Sequence, residues 1–265
     1  MLFYNKLQET IRKQNSLLCV GLDPDPAHLE GKDVASFLKS IISATHDLVC
    51  AYKPNLAFFE AMGPEGLEIL KDVRDVIPRN IPVIGDAKRG DIGNTAAKYA
   101  DSLFNFYGFD AITANPYLGK DALDPFLEYK DKGVFVLCRT TNPGASDIQE
   151  LSVDGTPLYQ IVAQKAQNDW NTNANIGLVA GATHPDDIAR LRGICPDMPF
   201  LVPGIGAQEG DLEKATKASL NIEKSMAVIN VSRGVLYADK SSSFADAART
   251  ASEKYREQIN TARGM

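Results

Sequence analysis

The 265-residue chain reads as an α/β protein, a (β/α)8 TIM barrel, on three observations. Short apolar runs recur eight times, each leads into an amphipathic segment, and the total length is close to the ~250 residues usual for this architecture. Alternation of strands and helices implies parallel strands joined by right-handed crossovers. An open doubly wound sheet is the alternative. It calls for a G-x-G-x-x-G turn after the first strand, whereas Gly21-Leu22-Asp23-Pro24-Asp25-Pro26 stands there.

The strands are expected at 17–22, 47–53, 81–85, 111–114, 133–138, 176–180, 200–203 and 227–231. Each is a short run rich in aliphatic residues that ends at charged, Gly or Pro residues, as buried parallel strands do. Helical patterns cover 34–46, 65–76, 95–106, 158–170, 185–192 and 243–255, and residues 1–12 read as an amphipathic helix rather than a signal peptide. The longest irregular stretch, 140–156, follows the fifth strand and falls on the face where barrels carry chemistry. No internal repeat or linker interrupts the alternation, so one domain is expected over 1–265.

Composition narrows the class further. The chain is 44% hydrophobic and 23% charged, with a formal net charge of −6, which argues against general nucleic-acid binding but leaves room for a small anionic ligand. No apolar run reaches the ~18 residues that span a bilayer. Cys19, Cys50, Cys138 and Cys195 form no C-x-x-C pair and read as buried thiols in a reducing, cytoplasmic setting. His28, His46 and His184 show no metal-ligand spacing, so no zinc site is evident.

The densest chemistry lies at Asp86-Ala87-Lys88-Arg89-Gly90-Asp91. Residues two apart on a strand share a face, so Asp86 and Lys88 are expected to project together. Gly90 would break the strand, leaving Asp91 and Asn94 as entry or cap residues for the helix 95–106. Such a motif alone fits a solvated turn with a salt bridge. Other strand ends add weight: Asp23 after strand one, Lys53 after two, Thr140 and Thr141 after five, Gly204 to Gln208 after seven, and Ser232 with Arg233 after eight. Two carboxylates and two ammoniums at one barrel mouth favour chemistry, because charges are costly to bury unless paired. The glycines of Pro203-Gly204-Ile205-Gly206, with Gln208 and Arg233, suit a phosphate, since barrels commonly bind one at the loops after strands seven and eight. Tight turns and a surface ion pair are the plainer reading of the same residues.

As a set, Lys53, then Asp86-x-Lys88-x-x-Asp91-Ile92-x-x-Thr95, then Pro203-Gly204-x-Gly206-Ala207-Gln208 and Arg233, resemble the orotidine 5'-phosphate decarboxylase family over nearly the whole chain. Arg139-Thr140-Thr141-Asn142-Pro143 resembles its longer branch, shorter relatives carrying Ser where Thr141 stands. The resemblance implies conversion of orotidine 5'-monophosphate (OMP) to uridine 5'-monophosphate (UMP). In that reaction Lys88 would stabilise and protonate the C6 carbanion, and Asp86 would sit beside the substrate carboxylate. Two unit charges about 3.5 Å apart repel by roughly 5 kcal/mol at an effective dielectric of ~20, which sets the scale of that contact. The resemblance also gives Asp23 and Lys53 to the ribose, Thr141 to the pyrimidine, and Gln208 and Arg233 to the phosphate, with Pro203 and Ser232 lining the site. Asp91, Ile92 and Thr95 would serve the neighbouring site of a homodimer, and the loops at 140–156 and around Gln208 would close over the nucleotide. Metal-dependent relatives carry an acidic residue where Lys53 stands; an ammonium there repels Mg2+ and replaces its charge. A Mg2+-dependent sugar-phosphate decarboxylase or aldolase remains the enzymatic alternative. The other alternative is a barrel that binds a phosphate ligand without catalysis.

Overall fold

The computed structural model describes residues 1–206, 211–241 and 243–265. Eight parallel strands run β1 (Leu18–Leu22), β2 (Ala51–Pro54), β3 (Ile84–Arg89), β4 (Ala111–Ala114), β5 (Gly133–Arg139), β6 (Ile176–Ala180), β7 (Phe200–Val202) and β8 (Ala227–Val231). Their spatial order is β2-β1-β8-β7-β6-β5-β4-β3, all pairs parallel. Parallel bridges Tyr52 to Val83 and Asn55 to Asp86 join the two outer strands, so the sheet closes as the expected barrel.

Outside the barrel lie α1 (Phe3–Gln14), α2 (Val34–Thr45), α3 (Leu56–Glu60), α4 (Gly63–Val76), α5 (Gly93–Asp101), α6 (Lys120–Leu127), α7 (Ser146–Gln149), α8 (Leu158–Lys165), α9 (Pro185–Ile194), α10 (Leu212–Ser219), α11 (Arg233–Leu236) and α12 (Phe244–Arg263). Local chemistry explains several starts. Asp33, Asn55 and Asp211 cap α2, α3 and α10 by accepting backbone N–H bonds from Ser36, Ala57 and Lys214. Strand and helix side chains form one continuous core that includes Phe109, Phe126, Phe135 and Phe200, all fully buried. No described helix is long and apolar enough to cross a membrane. All four cysteines are free and buried, and burial pushes the Cys19 thiol up to about 12.

The boundaries differ from expectation where polar groups decide them. Residues 47–50 lie outside β2: the chain is still turning out of α2, the Leu48 N–H bonding the Thr45 carbonyl, and the Asp47 carboxylate pairs with the Arg249 guanidinium at 2.8 and 2.9 Å. The third strand does not stop at Gly85 but carries Asp86, Lys88 and Arg89 of the charged motif. Helix α5 starts two residues earlier than expected, and neither Asp91 nor Asn94 caps it. Gly93 turns the chain at φ +51°, so Ile92 takes the cap position, and Asp91 accepts the Ile92 backbone N–H instead. The stretch 140–156 contains α7 and a hairpin, Ser152–Val153 with Thr156–Pro157, across the two-residue turn Asp154-Gly155, both at positive φ.

Gly85 shows how tightly helix-facing positions on the barrel are filled. A Cβ there would lie 2.5 Å from the ring of Phe109. Gly85→Ala is therefore expected to lower the unfolding free energy by about 1–3 kcal/mol through overpacking. Denaturant titration checks this, and unchanged stability would mean that Phe109 has room to move.

Candidate active site

The C-terminal ends of the strands surround a cavity of about 710 Å³. Asp23, Lys53, Asp86, Lys88, Thr141, Pro203, Ser232 and Arg233 all line it, on six different loops or strand ends. At its centre is Asp86, only 8% exposed, with three donors on its carboxylate. The Lys53 ammonium donates to Oδ2 at 2.8 Å, the Lys88 ammonium to Oδ1 at 2.6 Å, and the Thr113 hydroxyl to Oδ1 at 2.9 Å. Lys53 is 3% exposed and also lies 4.0 Å from Asp23 Oδ1. Asp23 in turn accepts from the Ser232 hydroxyl at 2.6 Å and from the Asn55 backbone N–H at 3.2 Å. Ser232 reaches it because Gly21 has no side chain: a Cβ at Gly21 would lie 2.8 Å from Ser232 Cβ.

Burial and charge oppose one another throughout this cluster. Burial pushes the Asp86 carboxyl up, but Lys53 and Lys88 overcome it and hold the carboxyl well below the usual carboxylate range. Burial likewise pulls the Lys53 ammonium down, and Asp23 and Asp86 together raise it above its ordinary value. Both groups are thus charged across the physiological range.

Lys88 meets Asp86 by a route other than simple strand alternation. It stands in the left-handed region at φ +47°, and the register between β3 and β4 slips between Gly85 and Arg89. A non-glycine residue held there is strained, and the Lys88 backbone N–H is pinned by the Thr113 hydroxyl at 2.9 Å. Its side chain stays half exposed toward the cleft. The bulge thus aims the ammonium at one oxygen of a fixed carboxylate while leaving it open to the cleft.

On the opposite side, Gly204 and Gly206 adopt positive φ at +100° and +82° in the loop after β7. Arg233 opens α11 after β8, beside Gly234, where a Cβ would lie 2.5 Å from the Tyr255 hydroxyl. Gly204 and Ile205 from the one loop and Arg233 from the other thus line the same cavity. Gln208 lies outside the described residues.

Asp91, Ile92 and Thr95 do not line this cavity. They sit at the start of α5 facing outward, Ile92 being 57% exposed. Conversely, Thr113, Asn55, Asn230 and Gln149 line the cavity without having been singled out from the sequence. Thr113 and Asn230 are lone polar residues in the otherwise apolar runs Ala111–Ala114 and Ala227–Val231, a signal that was available. Among the described residues, no group of three or more His, Cys, Asp or Glu side chains could hold a metal ion.

The chain is similar to proteins of known kind over nearly its full length. A family model described as Orotidine 5'-phosphate decarboxylase / HUMPS family matches residues 16–249. The orotidine 5'-phosphate decarboxylase of Thermomicrobium roseum is 51% identical, with 99% of this chain and 96% of that protein covered. That of Cupriavidus metallidurans is 49% identical, with 98% of each covered. The solved structure of Leishmania donovani OMP decarboxylase superposes with a TM-score of 0.90 at 44% identity and covers 100% of both chains.

The buried pair makes a testable demand on stability. Asp86 binds its proton less readily in the folded than in the unfolded chain. Its contribution is therefore complete above the unfolded value near ~4 and is lost as pH falls below it toward the folded value. Asp86→Asn should cost about 3–5 kcal/mol at pH 7, because Lys53 loses its close partner. The gap between wild type and variant should narrow progressively below about pH 4. Denaturant unfolding across pH checks this; a constant gap would contradict it.

Proposed function

This chain belongs to the orotidine 5'-phosphate decarboxylase family, and from that premise we propose that it converts OMP to UMP and CO2 without a cofactor, Lys88 being the catalytic acid. The single observation that carries the reading is the Lys53–Asp86–Lys88 chain of charges at the barrel mouth, with Lys88 alone of the three turned into the open cleft. The C6–carboxylate bond breaks, its electron pair remains in an in-plane orbital at C6, and CO2 departs. The Lys88 ammonium stabilises that charge and gives C6 its proton. Lys88 then recovers a proton from water.

Asp86 holds Lys88 in place and faces the substrate carboxylate. Because Asp86 is fixed by three donors, it needs no reorganisation as charge develops, which is the preorganisation that lowers such barriers. Asp23 and Lys53 hold the ribose hydroxyls, Thr141 the pyrimidine edge, Arg233 and Gln208 the phosphate, with Pro203 and Ser232 completing the wall. Lys53 favours this over a Mg2+-dependent reaction: its ammonium already lies against Asp86 and near Asp23, where a divalent cation would be repelled.

We also assign Asp91, Ile92 and Thr95 to the active site of a second copy in a homodimer, and place the enzyme in the cytoplasm. The surface around them supports the dimer. Ile92 at the cap of α5, with Tyr117 and Leu118 ahead of α6, are large apolar residues left 48–77% exposed, and α5 packs beside α6.

Lys88→Ala should retain nucleotide binding within about 10-fold while losing more than about 10⁴ of kcat, because its contact is made chiefly in the transition state. Turnover of OMP with UMP binding by calorimetry checks this, and near-normal kcat would remove Lys88 from the reaction. Sharing of the site has its own test. Mixed Lys88→Ala and Asp91→Ala chains, each inactive alone, should recover about a quarter of wild-type sites after subunit exchange, since half the dimers are mixed and one of their two sites is whole. Activity no greater than the sum of the parents, with heterodimer demonstrated, would return Asp91 to its own chain.

A further inference from the structure

The segment after β5 is tied down by a relay that no role assigned so far explains. The Gln149 carboxamide accepts the Thr140 backbone N–H at 2.9 Å and donates to the Thr140 hydroxyl at 2.7 Å. That hydroxyl donates onward to Asn142 Oδ1, also at 2.7 Å. Thr141 is thus flanked on both sides by residues that Gln149 controls. Beneath it, Gly181 provides a seat: a Cβ there would lie 2.5 Å from Thr141 Cγ2. Gly181 is itself fastened to the strand end, its N–H donating to the Arg139 carbonyl at 2.8 Å.

The next residue anchors the same short helix a second time. Glu150 pairs with the Arg139 guanidinium, which is 3% exposed and donates from Nε to Asp187 Oδ2 at 2.8 Å. Successive residues at the end of α7, Gln149 and Glu150, therefore grip successive residues at the end of β5, Thr140 and Arg139. The latch fixes where α7 ends relative to the barrel.

We infer that Gln149 is a positioning residue for pyrimidine recognition, acting through Thr140 and Asn142 to hold Thr141 against Gly181 at the cavity wall. The inference rests on the proposed decarboxylase function and deepens it. Because the base is common to OMP and to orotidine without its phosphate, the relay acts on both equally. Its loss weakens ground-state and transition-state binding together, so it appears in KM more than in kcat.

The test compares Gln149→Ala, Thr140→Val and Thr140→Ser with wild type on both substrates. Gln149→Ala and Thr140→Val should each raise KM for OMP about 10-fold, as the loss of neutral hydrogen bonds allows, with kcat falling less than about 3-fold. The kcat/KM for orotidine should fall by the same factor. Thr140→Ser, which keeps the hydroxyl, should lie close to wild type. An unchanged KM in Gln149→Ala overturns the inference. So does a loss in Gln149→Ala with Thr140→Val normal, which would put Gln149 itself on the substrate. Thr140→Ser as damaged as Thr140→Val removes the hydroxyl from the path. A wild-type chain inert toward OMP overturns the function, and this inference with it; an active wild type with normal variants overturns this inference alone.

Discussion

The Asp86 carboxylate, buried and held by three donors, is the constraint on which the site depends. A carboxylate and an ammonium taken out of water together cost several kcal/mol each unless geometry and hydrogen bonds repay them. Here repayment needs Lys53 from β2, Lys88 from the end of β3 and Thr113 from β4 at once, so three neighbouring strands must close in register. The bridges Tyr52–Val83 and Asn55–Asp86 that close the barrel lie at this junction. Barrel closure and the site therefore depend on the same junction.

Strain and charge act together at Lys88. The left-handed backbone at this residue is held by Thr113, whose hydroxyl accepts the Lys88 N–H and donates to Asp86. A single threonine thus sets both the direction of the ammonium and the orientation of its partner. Asp23, oriented by Ser232 and the Asn55 backbone, shapes the far side of Lys53 in the same way. The arrangement puts a fixed dipolar cluster deep in the cavity and leaves the polar glycine turns at its rim, a polarity that suits a ligand anionic at both ends.

Much of this was legible in the sequence, for identifiable reasons. Parallel strands buried on both faces are short aliphatic runs, and eight of them in 265 residues leave few architectures. Charge at a strand end is equally visible, which is how Asp23, Lys53, Asp86, Lys88 and Arg233 could be gathered before their distances were known. What escaped depended on tertiary hydrogen bonds. The end of β3 was placed too early because a charged residue such as Asp86 does not look buried, and only the donors from β2 and β4 make it so, while the strand then runs outward through Lys88 and Arg89. Capping by Asp91 failed on the positive φ of Gly93, which shifts the helix start. The hairpin within 140–156 carried a readable Asp154-Gly155 signal that the polar composition around it hid. The Gln149 relay is a contact between residues nine apart across a loop and has no local pattern.

Carbon–carbon bond cleavage in this account rests on a lysine held by the Asp86 carboxylate, with no metal. The most direct measurement is the fall in absorbance as OMP becomes UMP, followed with the wild-type protein before and after exhaustive treatment with a chelator. The account predicts turnover at the same rate in both preparations. An activity abolished by the chelator and restored by Mg2+, or no conversion of OMP in either, would contradict it.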